Sequence, residues 1–430
     1  MSSNPETSPT VRQMLALWLP LAASIVMMVL EPSTINIGLG RTTDPELALA
    51  AYGVAFSLAL LIEAPIMMLL DASVARSVNR EAFALVRRFT VALGLVVTAL
   101  GLIVSLTPLY GLIVRDLMNI PADVASHARP TLQILSFWSF PIAWRRAHQG
   151  ALIRAGHTAV ITAATGIRLV TLAAGLFLGL LLLPERGAAV AGSAMVLSVT
   201  VEAALITLAT RRVLQDERFG TVDEQPFELR DLWRFYRPLL ATTILRQSMR
   251  PLLNAGIAAA LLPVASLAAW PVTWGLAVLV TGPAWSLQQL TTAMVTDHHS
   301  YRRVRNFSLS LTVFFTLLMV LVAFTPLYDL VMAGVYNLSP ELRTLARPAT
   351  QVLAVLPLFM GVQGFLRGVL IRSGRTGKVR AAMTVNVVTL GVTLILGTTA
   401  LAPTGVLLAA IATMLGNAAE LFWLWRQNRR

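Results

Sequence analysis

The chain contains no cysteine, which excludes disulfides, thiolate metal sites and catalytic thiols together. Charge is scarce as well. Only 13% of its 430 residues are Asp, Glu, Lys or Arg, about half of the ~25% usual in a soluble domain. A surface of this size cannot be kept soluble on so few charges, so soluble enzymes and nucleic-acid-binding domains are excluded. There is no glycine-rich phosphate loop, no Ser/His/Asp grouping and no HExxH. ATP-driven pumping and enzymatic chemistry therefore have no support, and no cofactor or metal is expected. Asp297-His298-His299 resembles a metal clip only in composition.

What is abundant is hydrophobic residue, 56% of the chain, with a mean hydropathy of +0.71. It comes in long runs such as Trp18 to Leu30, Thr171 to Leu183, Leu309 to Phe324 and Val387 to Ala402. Repeated runs of this length read as membrane-spanning helices. The first ten residues are polar without a basic stretch, so the first apolar run is expected to remain as a helix rather than be cleaved.

The chain also repeats itself. Thr107-Pro108-Leu109-Tyr110 recurs 218 residues later as Thr325-Pro326-Leu327-Tyr328. The same offset maps Arg129-Pro130 onto Arg347-Pro348, Gln133 onto Gln351 and Leu152-Ile153-Arg154 onto Leu370-Ile371-Arg372. It also pairs Pro20 with Pro238, Asn36 with Asn254, Pro65 with Pro283 and Glu202 with Glu420. A self-similarity at one offset over most of a half is the mark of a duplicated unit.

Six apolar segments fall in each half, near 14–38, 47–72, 89–113, 130–153, 159–182 and 187–210, then near 237–260, 264–294, 308–332, 348–371, 380–401 and 404–425. The expected fold is an all-α polytopic membrane protein of twelve transmembrane helices. An even number of spans per repeat gives both halves one orientation, related by a pseudo-two-fold along the membrane normal. The expected domains are a six-helix lobe over 1–210, a linker over 211–236 and a second six-helix lobe over 237–430. Within the linker, Leu232, Trp233 and Tyr236 at helical spacing predict an amphipathic helix at the membrane surface.

The net charge of +13 has a topological reading. One set of loops holds Arg76, Arg80, Arg87 and Arg88, Arg154, Arg211 to Arg237, Arg302 to Arg305, Arg372 to Arg380 and Arg426 to Arg430. The opposite set has little beyond Arg41, Arg115, Arg129, Arg186, Arg343 and Arg347. The positive-inside rule then places both termini in the cytoplasm of a multi-pass cell-membrane protein. The partners expected are the lipid bilayer and a small anion, with no nucleic acid, and one copy suffices.

Polar groups inside the spans are the candidates for function, because a central Arg costs at least about 2.5–3.5 kcal/mol there. Six arginines qualify: Arg145, Arg146, Arg168, Arg246, Arg250 and Arg367. The acids are Glu31, Glu63 and, nearer a helix end, Asp71. Glu202 and Glu420 are expected near helix ends, meeting water or loop arginines. More cations than anions predicts an anion-attracting cavity, with interhelical ion pairing as the alternative. Arg246 and Arg250 share one face of the seventh helix, with Arg246 about 14 Å past Arg237. Arg145 and Gln149, four apart, map onto Gln363 and Arg367. Two guanidinium groups and two amides near an axis would suit a carboxylate or phosphate. Asn36 and Asn254 are expected as symmetric polar contacts to the same ligand. Arg168, alone in its span, reads as a local structural contact.

Glu31 precedes Pro32, which predicts a bend in the first helix. Glu31 is either a proton or cation site or the counter-ion of Arg250. His148, three residues from Arg145, is either a titrating coupling group or a packed hydrogen-bonder.

This pattern resembles the multidrug/oligosaccharidyl-lipid/polysaccharide (MOP) flippase superfamily, which includes the multidrug and toxin extrusion (MATE) transporters. Leu49-Ala50-Ala51-Tyr52-Gly53-Val54-Ala55-Phe56-Ser57-Leu58, Arg250-Pro251-Leu252-Leu253-Asn254 and His148-Gln149-Gly150 are most similar to the progressive ankylosis family. That resemblance implies alternating access without ATP hydrolysis and export of small anions such as citrate, nucleotides or pyrophosphate. Multidrug exporters commonly carry an Asp within a stretch similar to Ser33-Thr34-Ile35-Asn36-Ile37-Gly38. Here that place is Ser33, so their ion site does not carry over. A proton- or sodium-coupled multidrug antiporter, a flippase for a lipid-linked anion and a non-transporting scaffold are the alternatives.

Overall fold

A computed structural model of the chain describes residues 9–77, 79–155, 157–215, 229–401 and 403–428. Among these, sixteen helices of eight residues or more follow one another. They are α1 Val11–Leu39, α2 Pro45–Ile62, α3 Leu69–Arg76, α4 Arg80–Leu106, α5 Ala122–Ser136, α6 Ser139–Arg154, α7 Thr158–Leu182 and α8 Gly187–Gln215. Then come α9 Leu229–Ala258, α10 Pro263–Trp285, α11 Leu287–Met294, α12 His298–Phe324, α13 Pro340–Val352, α14 Leu356–Arg372, α15 Thr376–Leu396 and α16 Gly405–Asn428. All but one of the helices in the second set start 218 residues after their counterparts, and α14 starts one residue early. The duplication seen in the side chains is thus a duplication of backbone structure.

Among the described residues, ten helical segments are long and apolar enough to cross a membrane. The two remaining expected spans, α5–α6 and α9, are helical too, but Arg145, Arg146, Arg246 and Arg250 lower their hydropathy. The predicted span over 47–72 is interrupted: α2 stops at Ile62 and a 3-10 segment, Ala64–Met68, leads into α3. Two carbonyls of that segment are taken up by side chains. Pro65 O accepts from the Tyr236 hydroxyl and Met67 O from Arg146 Nη1 at 3.3 Å. Irregular backbone at this depth persists only where protein supplies such partners.

α1 runs through both Pro20 and Pro32 as one helix, with Ser33 and Thr34 hydroxyls donating to Val29 O and Leu30 O on the same stretch. One sequence expectation is corrected. Leu232, Trp233 and Tyr236 do not form a separate surface helix, because they lie on α9, which is continuous to Ala258. The rest of the linker reading, over 216–228, falls outside the described residues.

The repeated Thr-Pro-Leu-Tyr and Arg-Pro motifs build one clamp in each half. Thr107 caps the end of α4, and its hydroxyl accepts from Leu109 N at 3.3 Å. Tyr110 then donates to Ala125 O at 2.6 Å, and the Arg129 guanidinium lies 5.6 Å over its ring. In the second half Tyr328 donates to Arg343 O at 2.7 Å, with Arg347 5.4 Å over the ring. Each clamp contains one π-helical turn, Leu112–Leu117 or Leu330–Val335, followed by a left-handed Asn119 or Asn337. Tyr110→Phe and Tyr328→Phe should each cost about 1 kcal/mol of stability, read as a lowered thermal midpoint in detergent, with ligand binding unchanged. At the start of α12, Asp297 and Ser300 form a capping box. Hydrogen bonds from the Ser300 amide and hydroxyl hold the Asp297 carboxyl below its ordinary pKa.

The chain packs as two compact units whose borders cross the repeats. One is Met1–Gly40 with Ala259–Arg430, the other Arg41–Ala258. The first helix of each repeat therefore belongs with the rest of the other repeat. In the first unit Trp18 of α1 sits among Leu287, Leu290, Phe315 and Leu366. Its ring lies 6.4 Å from Phe307 and 6.2 Å from Phe315.

Candidate functional site

Asn36 and Asn254 are helix clasps. On α1, Asn36 Nδ2 donates to Pro271 O of α10 at 2.9 Å. On α9, Asn254 Nδ2 donates to Gly53 O of α2 at 3.3 Å and to Ser57 Oγ at 2.9 Å. Gly53 and Pro271 are themselves 218 apart, so the contact is the same one made twice. A second pair of clasps repeats the logic. Trp18 Nε1 donates to Pro283 O at 3.2 Å, and Tyr236, its equivalent, donates to Pro65 O. The sequence reading had assigned both asparagine amides to the ligand; the structure commits their nitrogens to neighbouring main chain. Asn36→Ala and Asn254→Ala should each lower stability by about 0.6–1.7 kcal/mol, the range for interhelical bonds in membranes. Thermal unfolding followed by size exclusion would measure this.

The arginine–glutamine pairs also meet partners that sequence reasoning missed. Glu202, expected near a helix end in water, is fully buried in the interior of α8. It accepts from Arg145 Nη1 at 2.7 Å, Thr165 Oγ1 at 2.9 Å and Gln149 Nε2 at 3.5 Å, and it is ion-paired with Arg168, whose Nε lies 3.2 Å away. Glu420, its equivalent on α16, is 1% exposed. It accepts from Arg367 Nε at 3.0 Å and from Asn386 Nδ2 at 2.8 Å. Gln363 in turn donates to Asn417 O at 2.8 Å and accepts from Arg367 at 3.3 Å. Each unit thus has a buried carboxylate tying three helices together. Arg145, Gln149, Gln363 and Arg367, expected on a cavity wall, are drawn into these two hubs. A carboxylate in low dielectric secures every donor within reach, which is why the amides and arginines turn toward it. The 218-residue pairing of Glu202 with Glu420 was the available signal.

His148 is packed: its ring lies 4.5 Å from Trp144 and 5.2 Å, edge-on, from Phe83, and Nδ1 pairs with Trp144 O at 2.8 Å. Glu31 is buried on α1. It belongs to the first unit and Arg250 to the second.

Arg246 and Arg250 differ from Arg145, Arg146, Arg168 and Arg367, being exposed on α9. Arg250 lies eight residues before the end of that helix, about 12 Å along it. Its guanidinium sits 5.9 Å over the ring of Phe56. Phe56 stacks on Tyr52 at 5.5 Å and meets Trp138 at 5.7 Å. Among the described residues no carboxylate is ion-paired to Arg250. An aromatic shelf therefore holds one face of a cation at mid-span and leaves its donors available.

No protein-family model and no curated protein sequence matches the chain. Solved structures do. An inward-facing multidrug resistance MATE family transporter of the MOP superfamily aligns with a TM-score of 0.68 at 17% identity, over 95% of this chain and 97% of that one. The lipid II flippase MurJ in an inward closed conformation gives 0.76 at 14% identity, over 96% and 88%. A MOP superfamily transporter from Pyrococcus furiosus, described by the reverse polarity of its binding pocket, gives 0.60 at 16% identity, over 96% and 94%. The chain has the MOP-superfamily fold. That fold accounts for the duplicated six-span units expected from the sequence, and both a MATE transporter and MurJ share it across nearly the whole chain.

Proposed function

We propose that the protein is a secondary transporter of small organic or phosphate-type anions, with Arg250 and Arg246 of α9 as the binding cations. The observation that carries this reading is Arg250, an exposed arginine in a membrane span with no carboxylate paired to it among the described residues. Such a group would be expensive against lipid, so its place is the wall of a water-filled path, where an anion neutralises it. Arginine binds carboxylate and phosphate alike through paired N–H donors, which fits citrate, pyrophosphate or nucleotide anions, the class implied by the ankylosis-like motifs. The MOP-superfamily fold supports alternating access. The arginine-rich loops support a cell-membrane protein with both termini in the cytoplasm. Arg145, Arg367, Gln149 and Gln363 serve as scaffold under this reading.

Counterflow of labelled citrate into proteoliposomes tests it, with pyrophosphate, ATP, other carboxylates and ethidium as competitors. Uptake inhibited by the anions and indifferent to ethidium is the expected result. Ethidium binding with no anion binding would assign the arginines to structure and the protein to multidrug antiport. The similarity to MurJ favours a second reading, a flippase for a lipid-linked anion, in which the same two arginines take a lipid's phosphate. Citrate inert in counterflow and a polyprenyl phosphate bound by native mass spectrometry would favour that reading.

A further inference from the structure

The duplication lets one half of the molecule serve as a control for the other. What the scaffold uses occurs twice: the asparagine clasps, the Glu202 and Glu420 hubs and the tyrosine–arginine clamps. Charges that occur in the spans of one half only call for another account. Within Arg41–Ala258 these are Glu63, Arg145, Arg146, Arg168, Arg246 and Arg250. The 218-residue offset pairs them with Thr281, Gln363, Gly364, Asn386, Met28 and Pro32, none of which is charged. Glu202 takes up Arg145 and Arg168, and Arg246 and Arg250 are the proposed binding cations. Glu63 and Arg146 have no role so far.

Glu63 lies in the same seam as the binding cations. α2 and α9 run antiparallel and are pinned twice, by Tyr236 on Pro65 O and by Asn254 on Gly53 O and Ser57 Oγ. Between the pins Arg250 sits over Phe56, and Arg246 is one turn nearer the Tyr236 pin. Glu63 follows Phe56 by seven residues, which keeps it on the same face of α2, about 10 Å further along in the same direction. It is the only acid on either helix between the pins.

The residue is 0% exposed and stands where α2 gives way to the 3-10 segment, its N–H donating to Ala59 O at 2.8 Å and its C=O accepting from Ile66 N at 2.7 Å. From α6, Arg146 reaches Met67 O at 3.3 Å and Met67 Sδ at 2.9 Å, and it feels the charges of Glu63 and Asp71. Its Nε has no acceptor among the described residues. α9 contributes the Tyr236 hydroxyl and α3 the exposed Asp71. α4 brings Phe89, 5.3 Å from the Tyr236 ring, while its Arg87 and Arg88 are exposed. The acid of α8, Glu202, is held by Arg145 and Arg168.

We propose that Glu63 is a proton site linked to the anion site, so that an anion held by Arg246 and Arg250 is taken up together with a proton on Glu63. The proposal rests on those two arginines binding an anion. Two negative charges about 10 Å apart, at an effective dielectric of about 20, weaken binding about 15-fold per ligand charge. Protonating Glu63 removes that repulsion. Anion affinity therefore rises as the pH falls through the titration of Glu63, and by reciprocity anion binding draws in a proton. Anion and proton then cross in the same direction.

Calorimetry of citrate binding to the full-length protein in nanodiscs, in buffers of different ionisation enthalpy and at a pH where citrate is fully ionised, counts the protons taken up. Wild type is expected to take up close to one proton per citrate. Glu63→Gln, a near-isosteric mimic of the protonated acid, takes up none and binds citrate about 15-fold or more tightly than wild type at that pH. Glu63→Asp retains the uptake. Infrared difference spectra across a pH series, recorded without ligand, should show a protonated-carboxyl band that Glu63→Gln lacks. Citrate binding by wild type without proton uptake overturns the linkage alone. Uptake or an infrared band that survives Glu63→Gln overturns the assignment to Glu63. Failure of citrate and pyrophosphate to bind wild type would overturn the anion reading and the linkage with it.

Discussion

Arg250→Ala yields a folded, monodisperse protein whose anion transport falls about 10- to 150-fold or more. That range is the loss of a hydrogen bond to a charged group, about 1.5–3 kcal/mol, taken at about 1.4 kcal/mol per tenfold. Stability stays level or rises, because the variant removes a cation that no carboxylate among the described residues pairs with. Arg250→Lys keeps the charge on a point-like head that cannot bind bidentately, so its affinity falls between wild type and alanine. Phe56→Leu leaves the guanidinium charge and removes the shelf, and its effect appears in affinity before maximal rate. Citrate counterflow and binding on the same preparations decide the matter. Undiminished transport by the alanine variant would take Arg250 out of the site.

Glu202→Gln has the larger effect on stability. It leaves Arg145 and Arg168, with side chains only 11% and 7% exposed, without their carboxylate. Removing one member of a buried ion pair costs about 3–5 kcal/mol, and here two cations lose one acid. Glu420→Gln strands a single arginine and should lose less. Arg168→Asn is the informative control. It gives Glu202 one arginine and one asparagine, the company Glu420 already keeps with Arg367 and Asn386, and should be far better tolerated than Glu202→Gln. Thermal midpoints of monodisperse protein rank the three. A Glu202→Gln protein as stable as wild type would mean that the hub does not hold the helices together.

The span pattern and the duplication were legible because both leave periodic marks. Apolar length reports the spans, and one constant offset reports the repeat. The same offset also contained the clasps, in the pairing of Asn36 with Asn254, but sequence cannot say which helix an asparagine faces. That is why both were assigned to a ligand and turned out to hold main chain. Glu202 and Glu420 were misplaced for a related reason. Counting from the loops puts them within reach of basic residues on their own helix, whereas their partners come from two other helices brought in by packing. The arginines of α9 stand out in the sequence as well, since a charge at mid-span is costly and conspicuous.

The exchange of first helices also bears on how the protein is made. α1 is synthesised before its partner, since the carbonyl it must clasp lies 235 residues further on. Until then it must rest in lipid without that clasp, and its composition suits the wait: 29 residues, a mean hydropathy of 2.0 over an 18-residue window and no arginine between Gln13 and Leu39. α9 emerges into the opposite situation. Its clasp partners at Gly53 and Pro65 are already in the bilayer, with Ser57 and Phe56 beside them. A helix delivered to a waiting groove can bring two arginines that a pioneer could not carry. Arg246 and Arg250 stand on the helix whose clasp partners are already made, and the helix that precedes its own clasp partners carries no arginine across its span.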